Sequence, residues 1–181
     1  MKCIIIAALG FCLLSCQEEG DEAPPIIREV SALRNGAPWN NSIIYLGLRD
    51  VCNPQELGFS VVHRNEYDVI RERLSVNGLS TVSRGLYAVI PSDSTDVNLC
   101  DDPPHVALNF LQADGDVGAG GARLIASADN WVEITKYDTI KQEVWGKFQF
   151  AFYDTLYSDT IRLTDGQFHA TVRPDTRGEP D

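Results

Sequence analysis

The chain has 181 residues, with 26 acidic against 15 basic side chains and a formal net charge of −11. That balance excludes nucleic acid and anionic lipid headgroups as partners, because like charge repels both. Between the two termini lie roughly 150 residues, which suits one domain with a proper hydrophobic core.

The first element is not part of that core. Lys2 is followed by an uncharged apolar run, Ile4 to Leu14, then Ser15, Cys16 and the acidic stretch Gln17-Glu18-Glu19-Gly20-Asp21-Glu22. The run is too short to span a bilayer, which needs about 20 apolar residues, and it has the order of a secretory signal peptide. Leu13 three residues before the cysteine and small Ser15 just before it make Cys16 the end of a bacterial lipobox. The expectation is a signal peptide over 1–15, with Cys16 lipidated (palmitate among the chains) and held in a membrane by more than one acyl chain. Residues 16–25, closing on Pro24-Pro25, read as an acidic tether. Loss of Lys2 leaves 14 basic against 26 acidic residues in the mature chain. The acidic run resembles the surface-export signal of Bacteroidota lipoproteins, and Gln17 in place of aspartate removes the inner-membrane retention cue. The address implied is the outer membrane, facing outward.

From Ile26 to Val172 the apolar period is close to two, the strand signal. Strand candidates follow in order: Ile26–Leu33, Ser42–Leu48, the alternating Leu57, Phe59 and Val61, Val69–Val76, Leu86–Ile90, Val106–Leu111, Leu124–Ala126, Trp131–Tyr137, Phe148 to Phe152, Thr160–Leu163, and Phe168 to Val172. Asn35-Gly36, Asn77-Gly78, Asp114-Gly115 and Asp165-Gly166 punctuate them as expected reversals, Asp165-Gly166 as a turn or a bulge, since each pair tolerates positive φ. Asn65 to Leu74 also fits a helix capped by Asn65, although a strand from Val69 agrees better with its neighbours. The fold class expected is all-β, a single antiparallel β-sandwich or partly open barrel over 26–172, with 173–181 a flexible tail.

Two further cysteines, Cys52 and Cys100, are an even pair in an exported chain, which predicts a disulfide. It would close a loop of about 50 residues and contribute roughly 4 kcal/mol. Two free buried thiols are the alternative. Neither cysteine has metal-ligand spacing, and no metal or cofactor is expected. The glycine-rich stretch Asp114 to Gly121 fails as a calcium loop, with Gly118 and Ile125 at ligand positions. It also lacks the endings of phosphate and dinucleotide loops, so it reads as a flexible surface loop. His63 continues a core stripe, His169 lies opposite Phe168 and should be exposed, and His105 follows an acidic patch.

Three places carry a family resemblance. Asn35-Gly36-Ala37-Pro38-Trp39 matches an early N-G-x-x-W. Gly85-Leu86-Tyr87 matches a central G-x-Y. Gly146-Lys147-Phe148-Gln149-Phe150 with Thr164-Asp165-Gly166-Gln167-Phe168 matches a terminal G-x-F-x-F hairpin closed by T-[ND]-G-x-F. In these the chain resembles uncharacterised all-β lipoproteins of Bacteroidota. That resemblance implies a domain of unknown function and supplies no catalytic residues.

No motif for nucleophilic or metal-assisted catalysis is present. The candidate ligand-binding residues are Trp131 and Tyr137, expected on one strand face with Glu133 and Thr135, and Trp145, expected beside Lys147 and Gln149. They form either a platform for a glycan or the second half of a sandwich core. Trp39 reads as a core plug. The leading reading is a non-catalytic binding or accessory module at the cell surface, with a protein or glycan partner. The others are a structural or protein-interaction envelope lipoprotein, and a hydrolase using paired carboxylates.

Overall fold

A computed structural model describes residues 26–49, 56–80, 85–91, 106–115 and 117–173. Cys16, Cys52, Cys100, His105, the signal and tether segments and the tail beyond Arg173 lie outside them. The expected all-β class is what the chain forms. Among the described residues eleven strands follow in order: β1 (Arg28–Arg34), β2 (Ala37–Pro38), β3 (Ser42–Arg49), β4 (Glu56–Arg64), β5 (Ile70–Ser80), β6 (Gly85–Pro91), β7 (Val106–Asp114), β8 (Val117–Leu124), β9 (Trp131–Asp138), β10 (Glu143–Asp154) and β11 (Asp159–Arg173).

They form one continuous sheet wrapped round a single core. Strands β3, β4, β5 and β7 pair antiparallel in sequence. Beyond β7 the sheet divides. Val106–Leu108 continues through β6 and β9 to the Glu143–Gln149 half of β10. Phe110–Asp114 continues through β8 to the Phe152–Asp154 end of β10. Strand β10 then pairs along its length with β11, which returns to β3 by a short parallel contact at Val172 and Arg173. Strand β1 lies beside β11 and carries the small strand β2.

Alternation along the strands explains the core. Val106, Leu108 and Phe110 point inward from β7, and Phe148, Phe150 and Phe152 from β10. Each fully buried aromatic contributes roughly 2–3 kcal/mol of apolar burial. Phe59 of β4 meets Phe168 at a ring-centroid distance of 5.0 Å and Phe148 at 6.3 Å, tying the opposite walls together.

Several inward rows change parity part-way along a strand. On β11, Ile161 and Leu163 are buried, then Gly166, Phe168, Ala170 and Val172. A strict period of two would put one set outside. The pairing slips between Phe148 and Phe150, and Asp165 stands at φ 53°. This is a β-bulge that returns both halves to the core. On β5 the slip at Gly78 (φ 88°) does the same between Val76 and Leu79. Thus Asn77-Gly78 and Asp165-Gly166 lie within continuous strands, so the reversal expected at Asn77-Gly78 does not occur and Asp165-Gly166 takes the bulge reading. Asn35-Gly36 and Asp114-Gly115 do end strands, with positive φ at Asn35, Gly36 and Gly115.

One other expectation is corrected, and the choice left open at residues 65–74 falls to the favoured strand. Residues from Val117 in the glycine-rich stretch form strand β8, held by β7, rather than a loop. Asn65 caps a turn and not a helix: its Oδ1 accepts the amides of Tyr67 and Val69, each at 3.0 Å, and β5 follows as a strand.

Two glycines are required by close packing. Gly146 faces Phe168 across β10 and β11, and Phe148 faces Gly166 two residues on. A Cβ at Gly146 would overlap the Phe168 ring and lie 2.7 Å from the Glu133 carbonyl oxygen. A Cβ at Gly166 would lie 2.5 Å from Phe148 Cδ2. Gly118, by contrast, has open space where its Cβ would be. Gly146→Ala and Gly166→Ala are therefore expected to lose about 1–3 kcal/mol each by overpacking. Gly118→Ala should stay within about 0.5 kcal/mol of the parent. Urea unfolding midpoints at neutral pH check all three.

Candidate functional site

The most distinctive side-chain cluster lies on the outer face, where four strands run side by side. His169 sits between buried Phe168 and Ala170, so it points outward from β11. Trp145 sits between buried Val144 and Gly146 and points outward from β10. Cross-strand register places Glu29 of β1 opposite His169, His169 opposite Trp145, and Trp145 opposite Lys136 of β9. The result is one transverse row: Glu29, His169, Trp145, Lys136.

Within the row the indole and imidazole stack at 4.2 Å between centroids and 14° between planes. Lys136 Nζ lies 3.9 Å from the indole centroid, in cation–π contact. These neighbours come from the strands on either side of β10, so both faces of Trp145 are covered. His169 Nε2 lies 3.1 Å from Glu143 Oε2, and His169 Nδ1 lies 3.5 Å from Glu29 Oε2. Beside the row is a shallow concavity of about 390 Å³, lined also by Ser31, Thr135, Lys147 and Gln167.

The three aromatic candidates separate. Trp145 joins this concavity, and it does lie on one face with Lys147 and Gln149. Trp131 points outward opposite Gln149 but does not line it. Tyr137 is on the other face, which corrects its expected alignment with Trp131. The pairing slips at Thr135, whose Oγ1 donates to the Trp145 carbonyl (3.2 Å), and after this bulge Lys136 takes the outward position. Tyr137 then packs against the core, and its hydroxyl donates to Gln142 Oε1 at 3.2 Å. Burial pushes the phenol pKa up, against the lowering effect of that hydrogen bond. Glu29, Glu143, His169 and Lys136 are the members that sequence reasoning missed. No local signal marks them, because only register across four strands brings them together.

A second polar cluster is internal. Trp39 is buried, as expected of a plug, and donates from Nε1 to Glu72 Oε2 at 2.8 Å. Arg34 Nε donates to Glu72 Oε1 at 2.8 Å. His63 stacks on Trp39 at 5.6 Å and meets Ser42 Oγ through Nδ1 at 3.3 Å. Glu72 is in register with Gln112, whose Nε2 donates to Asp154 Oδ2 at 2.7 Å. Asp154 Oδ1 accepts the amides of Leu156 (2.8 Å) and Tyr157 (3.1 Å). Every oxygen of both carboxylates thus has a protein donor, which marks a structural network.

The chemistry open to these clusters is limited. Burial raises the Asp154 pKa, but the Tyr157 amide, Gln112, the Leu156 amide and the Arg34 charge outweigh it and hold the carboxyl below the ordinary value. The amides of Lys141 and Ile140 hold exposed Asp138 low in the same way, helped by the Lys136 and Lys141 charges. Glu29 and Glu143 meet opposite nitrogens of His169, so the three cannot converge on one ion. Among the described residues no group of three or more His, Cys, Asp or Glu is placed to hold a metal. Comparison with models of protein families, with curated proteins and with solved structures finds no match to the chain.

The row predicts a measurable coupling. A double-mutant cycle between Lys136→Ala and Trp145→Ala should give about 0.5–1 kcal/mol of interaction energy in urea unfolding, the value for a largely exposed cation–π pair. Asp154 gives a pH prediction. Its folded pKa is lowered, so its contribution is present above the unfolded value of about 3.9 and is lost as pH falls through the folded one. Asp154→Asn should be less stable than the parent at pH 7, with the two unfolding curves converging in acid.

Proposed function

We propose that the chain is an outer-membrane lipoprotein, anchored through Cys16, whose β-domain is a non-catalytic binding or accessory module at the cell surface. The observation that carries this is Leu13-Leu14-Ser15-Cys16 at the close of an uncharged apolar run, followed at once by acidic residues. The described domain opens at Ile26, ten residues beyond that cysteine, with β1 at the border of the sheet. An exported address also favours the Cys52–Cys100 disulfide, and the resemblance to Bacteroidota all-β lipoproteins points the same way.

The concavity beside Trp145 is the binding surface in this reading. With both faces of the indole covered, a sugar ring cannot stack on it. A ligand would meet its edge and the hydrogen-bonding groups of Ser31, Thr135, Lys147 and Gln167. A polar glycan or peptide held by hydrogen bonds fits that surface better than a flat aromatic-stacked one. Asp138 and Asp154, both held below the ordinary carboxyl pKa, do not suit the general acid of the hydrolase reading.

A second reading, a protein-interaction lipoprotein, is favoured by exposed apolar hairpin tips. Tyr67, Val117, Leu156 and Tyr157 are each more than half exposed, at 77, 69, 51 and 73%. Their turns are neighbours, joined by Gly115 N to the Ile70 carbonyl (3.1 Å) and Thr155 Oγ1 to the Gly121 carbonyl (2.9 Å).

Metabolic labelling with an alkyne fatty acid tests the anchor. The parent should take up label and sediment with outer membranes, and Cys16→Ala should do neither. Label retained in Cys16→Ala would defeat the proposal. Protease added to intact cells should remove the domain if it faces outward and leave it whole if it faces the periplasm.

A further inference from the structure

We propose that His169 is a pH-dependent clasp that tightens the hold of the sheet on β1, its N-terminal strand, as pH falls. Strand β1 needs such a hold. It pairs with β11 along one edge, but on the other the described residues give it partners only at its C-terminal end, where Leu33 and Arg34 pair with β2 and the Ala32 carbonyl accepts the Trp39 amide at 2.9 Å. Its neighbour β3 makes no backbone pairing with it among the described residues, and the two are bridged by Arg28 over the Tyr45 ring at 4.7 Å. What keeps the Arg28–Ser31 end in place is the β11 side, where Glu29 faces His169.

The argument rests on counting protons. A neutral imidazole has one N–H and one lone pair. With Glu143 Oε2 at 3.1 Å from Nε2 and Glu29 Oε2 at 3.5 Å from Nδ1, it can donate to one carboxylate only. Its other nitrogen then turns a lone pair toward a negative oxygen. With the single N–H of the neutral ring on Nε2, facing the nearer Glu143, protonation adds a second N–H on Nδ1 and a charge that faces Glu29 of β1 at 3.5 Å. The ring is held for this role. It is stacked on Trp145, and its side chain is only 22% exposed, as Glu143 is only 16% exposed. The other charged groups near it are Lys147 in the same concavity and Lys136 beyond the indole. Both are cations and oppose protonation of the ring, so the gain on protonation comes from Glu29 and Glu143 alone. Histidine changes charge between pH 5 and 8, so the extra bond is present at low pH and lost as the ring deprotonates.

Amide hydrogen exchange on the full chain tests this, read by mass spectrometry at about pH 5.5 and about pH 7.5 and corrected for intrinsic rates. Protection of Arg28–Ser31, taken relative to Val144–Phe152, should rise by about 1.5- to fivefold at the lower pH, the scale of a partly exposed ion pair. Glu29 is 77% exposed, so Glu29→Gln leaves the fold intact and should abolish that rise. His169→Gln should abolish it too. Salt at about 1 M should reduce it in the parent, because the Glu29 side is open to screening. No rise in the parent, or the same rise in Glu29→Gln, overturns the proposal.

Discussion

The interlock of two phenylalanines with two glycines across β10 and β11 is the contact on which the remaining architecture depends. Gly146 leaves room for the Phe168 ring and Gly166 for the Phe148 ring, two residues further along the same pair of strands. Each ring then reaches the interior and meets Phe59 on the far wall. Without the glycines the two long strands could not approach closely enough for both rings to lie inward. Strand β11 is also the strand to which β1 and β3 attach, so its seating decides where the sheet closes.

Closure of one sheet round a narrow core needs sharp local bends, and bulges provide them. Each bulge also changes which side chains face outward. The slip at Thr135 sends Tyr137 to the core and brings Lys136 over Trp145. The slip near Asp165 returns the row Gly166, Phe168, Ala170 and Val172 to the core, leaving His169 outward. The outer row of Glu29, His169, Trp145 and Lys136 is therefore a by-product of the same adjustments that pack the interior. The internal network joins Arg34 and Trp39 to Glu72 and Gln112 to Asp154, so that each carboxylate oxygen has a donor while buried Gln112 Oε1 has no partner.

The proposed function divides between two kinds of determinant. The proposed address rests on a linear segment: an apolar run, a small residue, a thiol, then acids. The proposed binding surface is a property of spatial arrangement. Its aromatic centre lies between a histidine and a lysine, which favours a partner held by hydrogen bonds over a stacked ring. The proposed clasp links the two, since Glu29 lies on the first strand after the proposed anchor segment.

Much of the fold was legible in the residues themselves. Alternation at Phe148, Phe150 and Phe152 marks a core strand because side chains in a strand alternate faces whatever surrounds them. Trp39 was readable as a plug, and the all-β class followed from short alternating runs with turn pairs between them. The function of those pairs was not readable. Asn35-Gly36 reverses the chain while Asn77-Gly78 bulges a continuing strand, yet both depend on positive φ, and only the partner strand across the sheet distinguishes them. The glycine-rich stretch from Val117 is a strand because β7 supplies its hydrogen bonds, which composition cannot show. Sequence by itself determined the strand character and the core-facing residues over most strands, both of which are local properties of neighbouring side chains. The tertiary structure alone decided register, and with it the bulges, the inward turn of Tyr137 and the meeting of Glu29, Glu143, His169, Trp145 and Lys136, because cross-strand position is set by residues far apart in the chain.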